Sequence, residues 1–250
     1  MSLRNIQEKQ NCSDYDLKKL WTQRSPVGYF YGNHWTLTHC RPARPPDDVN
    51  CVRGKTIFLY GDSTVKQWFK ELQSRFNCTN NFIHSDDREP ICWNNDVNLA
   101  ARFTRHSLPG NIVDGNIGSR RLEDLVEFIT EGTVPIFLMH VYSHYTYYHH
   151  RIYRDRIKRL RSSIETILKK RPDAKFLFKG PHTMASKYLG VSEYYAYVYR
   201  LILIEELEGL HDTVVYLDFK DMSIAKQVED IHPKPQVVTA MVDEMLAYMC

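Results

Sequence analysis

The sequence predicts an α/β fold, a three-layer open sheet whose strands are mostly parallel. Three observations point there. From Lys55 to the C-terminus, short apolar runs alternate with segments of helical periodicity, as in βα units around a largely parallel sheet. The 250 residues, 43% hydrophobic and 25% charged, have the composition of one globular domain and exclude wholesale disorder. No internal repeat or low-complexity tract interrupts the alternation.

Residues 1–54 precede the alternation and read as an irregular, cysteine-bearing segment packed on the domain formed by 55–250. Pro26-Val-Gly-Tyr-Phe-Tyr-Gly32 and Arg41-Pro-Ala-Arg-Pro-Pro-Asp-Asp48 are dense in backbone punctuation. Thr56–Tyr60 (TIFLY) follows as a buried strand, and Thr64–Phe76 as a helix. Val97–Phe103 is the second strand, Leu122–Glu131 a helix and Pro135–Val141 a strand. A long helix spans Arg151–Arg171, then Lys175–Lys179 (KFLFK) is a strand, Ser192–Glu208 a helix and Val214–Leu217 a strand. Gln236–Met249 closes the chain as a helix.

Charge excludes some partners. With 33 basic and 30 acidic residues the net charge is +3, too slight for a nucleic-acid face. The basic run in Arg151–Arg171 is the solvent side of an amphipathic helix, because Tyr153, Ile157, Leu160, Ile164 and Ile167 recur every three or four residues as one buried stripe. The longest apolar runs, Ile136–Met139 and Leu201–Ile204, fall far short of the ~18–20 residues that span a bilayer, so no transmembrane segment is expected in this chain. Met1–Gln10 is polar and lacks the apolar core of a signal peptide. The 16 Tyr, 11 Phe and 4 Trp suit core filling first and a carbohydrate- or peptide-facing surface second. Nothing in the sequence indicates an oligomeric state.

Six cysteines, Cys12, Cys40, Cys51, Cys78, Cys92 and Cys250, stand in an even number at wide spacing without a CxxC pair. That pattern fits disulfides of undetermined pairing better than structural zinc. Asn11-Cys12-Ser13 and Asn77-Cys78-Thr79 satisfy the N-glycosylation pattern. Together they favour a secretory-pathway location, the Golgi lumen or outside the cell, with the signal segment absent from this chain.

The sharpest chemical feature is Gly61-Asp62-Ser63, set between the first strand and the first long helix. In an open α/β sheet, ligands gather at the carboxyl ends of strands. Ser63 would stand there, at a helix N-terminus whose free N–H groups favour developing negative charge. The tripeptide alone also reads as a turn with a helix cap, for which Asp and Ser are preferred. A serine needs a base, and Glu229-Asp230-Ile231-His232-Pro233, in the loop before the last helix, supplies one. A carboxylate on Nδ1 of His232 would leave Nε2 free to take the proton of Ser63. His140, His144, His149 and His150 lack a neighbouring carboxylate or cysteine to complete a metal shell, so no metal is expected. They read instead as a polar loop lining the sheet's carboxyl edge, where Tyr142, Tyr145, Tyr147 and Tyr148 offer flat faces to a sugar.

A nucleophile after the first strand, with an acid and a histidine before the last helix, is the chain order of the SGNH (GDSL-like) hydrolases. The segment GDSTVKQWFKEL, with Gln67-Trp68, resembles more closely the PC-esterase block of the neurexophilin and PC-esterase (NXPE) family. Gly28-Tyr-Phe-Tyr-Gly32, Trp35, Cys40 and Cys51-Val-Arg-Gly54-Lys upstream, and Asp230-Ile-His-Pro with Leu246-Ala-Tyr-Met-Cys250 at the end, match that family's flanks. The resemblance runs roughly from Cys12 to Cys250, and the family's neurexophilin-like region is absent from the sequence.

The resemblance implies an SGNH-hydrolase, flavodoxin-like architecture and a serine O-acyltransferase or O-acetylesterase. Its substrate would be a glycan or small acylated molecule, including O-acetyl groups on sialic acid. Ser63 matches the nucleophile and His232 the base. The superfamily's acid stands three residues before the histidine, at Glu229 here, while Asp230 stands two before; Asp230 ranks first. The middle blocks place Ser107 where a glycine oxyanion donor is expected and offer His144 where an asparagine is expected. No bound cofactor is implied, and acetyl-CoA is the acyl donor in the transferase case. The alternative, motivated by those two departures, is a catalytically silent extracellular binding domain on the same scaffold.

Overall fold

The computed structural model describes residues 9–79, 89–106, 121–183 and 193–250. The chain first forms a short helix α1 (Lys18–Thr22) and a hairpin, β1 (Gly28–Tyr31) with β2 (His34–Leu37). Then come β3 (Lys55–Gly61), α2 (Ser63–Arg75), β4 (Ile91–Asn94), β5 (Leu99–Arg105) and β6 (Val134–Met139). After them follow α3 (His150–Lys170), β7 (Lys175–Lys179), α4 (Glu193–Glu206), β8 (Val214–Leu217), α5 (Lys220–Ala225) and α6 (Pro235–Met249).

One sheet of order β4-β5-β3-β6-β7-β8 forms the centre, with every neighbouring pair parallel except β4 and β5. Numbered in chain order, the parallel strands run 2-1-3-4-5, one of the common doubly wound orders. The winding reverses between β3 and β6, and such a reversal opens a crevice at the strands' carboxyl ends. Residues just after Gly61 and Met139 therefore border it.

The strands form because helices cover both faces of the sheet, so their sequences are continuously apolar rather than alternating. Ile57, Phe58, Leu59, Ile136, Phe137, Leu138 and Phe176 are all fully buried. Phe58, Phe137 and Phe176 lie in register and stack across three strands, with ring centroids 4.8 and 5.2 Å apart. On α3 the predicted stripe Tyr153, Ile157, Leu160, Ile164 and Ile167 is the buried face.

Several elements differ from the sequence reading. The N-terminal segment, expected to be irregular, contains α1 and the β1–β2 hairpin. Gly32 at φ 60 supplies the turn that joins the two strands at Tyr31 and His34. Strand β4, antiparallel at the sheet edge, was not foreseen, nor was α5. The second strand starts at Leu99, since Val97 ends a 3-10 turn and Asn98 takes a left-handed φ of 50. The expected helix at Leu122–Glu131 is a 3-10 segment, Leu122–Phe128, anchored by buried Leu122 and Leu125.

All six cysteines pair: Cys12 with Cys40, Cys51 with Cys250, and Cys78 with Cys92. The second bridge closes the chain on itself, across 199 positions. No helix among the described residues is long and apolar enough to cross a membrane.

Candidate active site

Only Asp62 separates the end of β3 from the start of α2. Its extended backbone makes it the N-cap, and its Oδ1 accepts from the Thr64 N–H at 2.9 Å and the Thr64 hydroxyl at 2.7 Å. Gly61 is required by space rather than by an unusual φ. A Cβ there would lie 2.5 Å from Val65 Cγ2 and 3.3 Å from the His140 carbonyl oxygen. The absent side chain lets α2 start directly against the sheet, which sets Ser63 at the helix's first residue. An amide in that position has no helical carbonyl to accept it.

His232 arrives from the loop between α5 and α6. Its Nε2 is 2.7 Å from the Ser63 hydroxyl oxygen, across 169 positions of sequence. Three contacts shape the loop. Asp230 Oδ1 accepts from the His232 backbone N–H at 2.9 Å, Gln67 Nε2 donates to the Pro233 carbonyl at 3.1 Å, and His182 Nε2 donates to the Ile231 carbonyl at 2.9 Å. Asp230 Oδ1 lies 3.7 Å from His232 Nδ1, an ion-pair distance longer than a hydrogen bond. Both side chains are open to solvent, 47% for His232 and 75% for Asp230. Glu229 is exposed, and no hydrogen bond or ion pair joins it to the imidazole.

Behind the Ser63–His232 pair lies a buried polar cluster. Lys179, at the end of β7, is fully buried and sits 3.4 Å from His140 Nε2 and 3.3 Å from His182 Nδ1. The other ring nitrogens fix the tautomers: His140 Nδ1 donates to the Lys179 carbonyl at 2.8 Å, and His182 Nε2 donates to Ile231. Both free nitrogens thus accept from the Lys179 ammonium. Asp62 Oδ2 lies 3.6 Å from His140 Nε2 and accepts the Ser143 hydroxyl at 3.0 Å.

Burial and then the Lys179 charge push the His140 pKa down to about 3, so the ring is neutral. Burial, Lys179 and His140 hold His182 well below its ordinary value. Burial alone would raise the Asp62 carboxyl, but His140, Lys179 and the Thr64 hydrogen bond together hold it below the usual carboxylate range. With His140 neutral, Lys179 is the cation facing Asp62 at pH 7. Lys179 itself is pushed down to about 8 by burial, with Asp62 opposing the shift.

The serine and the histidine singled out from sequence are in contact, with Asp230 beside them. Ser107 lies outside the described residues. His144 sits in the 3-10 turn Ser143–Tyr145 beside the crevice, where burial lowers its pKa, and its buried Nδ1 has no partner among the described residues. Of the four tyrosines read as flat faces, Tyr142 and Tyr145 are buried in the core, whereas Tyr147 and Tyr148 are exposed. Sequon Asn77 is exposed, and Asn11 is half-buried. His140, read as loop lining, belongs to the buried cluster; Asp62 caps α2 as the turn-and-cap reading had it, whereas its place in that cluster and the roles of Lys179, His182 and Gln67 were missed. A lysine closing the apolar run KFLFK was the available signal, because a buried ammonium requires partners.

A histidine ring nitrogen on a serine hydroxyl at a helix N-terminus, with a carboxylate beside the ring, is a serine hydrolase or acyltransferase type of site. Ser143 also neighbours Asp62 and a histidine, but it is buried, no imidazole accepts from its hydroxyl, and the carboxylate that does is held too weakly basic to take the proton.

A protein of Parabacteroides merdae described as a GDSL-like lipase is similar in structure, with a TM-score of 0.44 and 12% identity over 78% of this chain and 96% of its own. Residues 35–250 match the family described as NXPE family member 4-like, C-terminal domain. That match takes in both partners of the Ser63–His232 contact and the whole central sheet, so the chain belongs to the NXPE family.

Proposed function

We propose that this NXPE domain is an SGNH-type serine O-acyltransferase or O-acetylesterase acting on glycan O-acetyl groups in the secretory pathway. The 2.7 Å contact between Ser63 Oγ and His232 Nε2 carries the reading. Ser63 attacks the acyl carbonyl carbon as its proton passes to His232. The tetrahedral intermediate collapses when His232 returns that proton to the departing alcohol or thiol, leaving acyl-Ser63. An incoming water or sugar hydroxyl then gives its proton to His232, attacks the acyl carbon, and Ser63 regains its proton as the product leaves.

The developing oxyanion is held by the Ser63 amide at the start of α2, with His144 and Ser107 as the assigned further donors. Asp230 steadies His232 through its backbone amide and, at 3.7 Å, through charge. Acetyl-CoA is the donor we assign in the transferase case. The exposed Tyr147 and Tyr148, on the loop leading to α3, support a sugar-facing rim. All six cysteines in disulfides support the secretory location, where such bonds persist.

An activated-ester assay tests the reading. Wild type should release the chromophore, and Ser63→Ala and His232→Ala should each lose at least ~10²-fold in rate. Equal rates for wild type and Ser63→Ala would leave a silent binding scaffold, the reading favoured by the long Asp230–His232 distance.

A further inference from the structure

We propose that Lys179 is a positioning residue for acyl transfer, its ammonium tying the turn that carries Ser63 to the loop that carries His232. This role rests on the proposed serine chemistry and names how that site is held in register. On both sides the connection runs through a histidine. Toward the nucleophile, the Lys179 charge acts on the carboxylate of Asp62, which caps α2 at the residue before Ser63; no hydrogen bond or ion pair joins the two directly, and His140 Nε2, 3.6 Å from Asp62 Oδ2, links them. Toward the base, the Lys179 ammonium donates to His182 Nδ1 at 3.3 Å, and His182 Nε2–H donates to the carbonyl of Ile231, the residue before His232. A third arm reaches His140 Nε2 at 3.4 Å and through its Nδ1–H returns to the Lys179 carbonyl.

An apolar residue would fill the end of β7 without the cost of dehydrating an ammonium. A lysine there makes sense when its charge organises other groups. The ammonium supplies the donor that the unprotonated nitrogens of two neutral histidines require, and one of these rings aims the N–H that holds the His232 loop. Gln67, donating to Pro233 from α2, is the second tie on the same loop.

The groups facing Lys179 come from separate elements: Asp62 between β3 and α2, His140 after β6, and His182 after β7 itself. The Trp68 ring of α2 lies 5.9 Å from the ammonium, and His106 after β5 acts electrostatically on Asp62 and His140. With Lys179 at about 8 and both histidines neutral, Lys179 is the member of the set that changes charge just above neutrality. Losing that proton removes the countercharge of Asp62. It does not weaken the fold through this group. A lysine at about 8 when folded and ~10.4 when unfolded binds fewer protons in the native state, so its contribution to stability rises over that window.

The test is the rate at which the full chain is labelled by a fluorophosphonate probe, followed from pH 6.5 to 9.5. Wild type should show a decline centred near pH 8 while its melting temperature does not fall. Lys179→Met should label at least tenfold more slowly at pH 7 and show no such decline. A wild-type rate that is flat through pH 8 overturns the proposal, and this measurement requires no variant to fold. A Lys179→Met protein that labels at the wild-type rate with the wild-type profile overturns it too. Ser63→Ala separates the two claims. If Ser63→Ala stays unlabelled while Lys179→Met behaves as wild type, the serine chemistry stands and the positioning role falls. If Ser63→Ala labels like wild type, both fall.

Discussion

Two serines neighbour Asp62, Ser63 along the chain and Ser143 through a hydrogen bond, and their surroundings give them opposite roles. Ser63 is exposed, and its hydroxyl faces His232 Nε2, a base that can take its proton. Ser143 is buried and donates its proton to Asp62. Ser143→Ala should therefore keep fluorophosphonate labelling while losing about 1 kcal/mol of stability, measured by urea unfolding, because one Asp62 oxygen loses its donor. A Ser143→Ala protein that cannot be labelled would contradict the assignment. Asp62→Asn keeps the shape but removes the negative charge that favours the buried Lys179 ammonium, so it should lower the urea midpoint of unfolding; an unchanged midpoint would contradict that charge coupling. At this scale the sequence exposed what stands beside backbone punctuation, Ser63 two residues after Gly61 and His232 directly before Pro233. It concealed the roles of Lys179 and His182, because His140 and Ile231, which complete their hydrogen bonds, lie far along the chain and meet them only when the sheet assembles.

Among the elements, the junction of β3 and α2 is the most constrained. Gly61→Ala would drive a methyl group into Val65, and overpacking of that kind costs about 1–3 kcal/mol. Adding Val65→Ala should restore part of the loss in a thermal melt; no recovery would mean that the close helix approach is not what position 61 protects. Continuous apolar runs and the α3 stripe announced β3, β6, β7 and α3, because burial on both faces or on one stripe leaves a period in the sequence. β4 and the hairpin left none: both are four-residue strands, and β4 owes its place to pairing with β5 and to the Cys78–Cys92 bridge. The 2-1-3-4-5 order is likewise a property of assembly, since alternation of strands and helices fits several windings.

The whole molecule is closed by the Cys51–Cys250 bridge, which ties the strand-3 approach to the end of α6. Cross-linking the unfolded chain over so long a loop is worth about 5 kcal/mol in the chain-entropy account, against about 3 for a loop like that of Cys78–Cys92. The double variant Cys51→Ser/Cys250→Ser should accordingly unfold at lower urea than Cys78→Ser/Cys92→Ser. The reverse order would show that local packing outweighs loop closure.

Acid acts on the same cluster at this scale. His140, at about 3 when folded and ~6.5 when unfolded, takes up its proton first in the unfolded chain, so its contribution to stability falls as pH drops below about 6.5. Buried Glu244, its carboxyl raised by burial, works in the opposite direction. His140→Gln should isolate the effect by losing less stability than wild type between pH 7 and pH 5; an equal or greater loss would contradict a neutral His140.

The reactive pair at the crevice is tested most directly by mapping the fluorophosphonate adduct by peptide mass spectrometry in wild type and His232→Ala. One adduct on Ser63 in wild type, lost or slowed at least a hundredfold in His232→Ala, is the predicted result. An adduct on another residue, or Ser63 labelling that ignores His232, would contradict it.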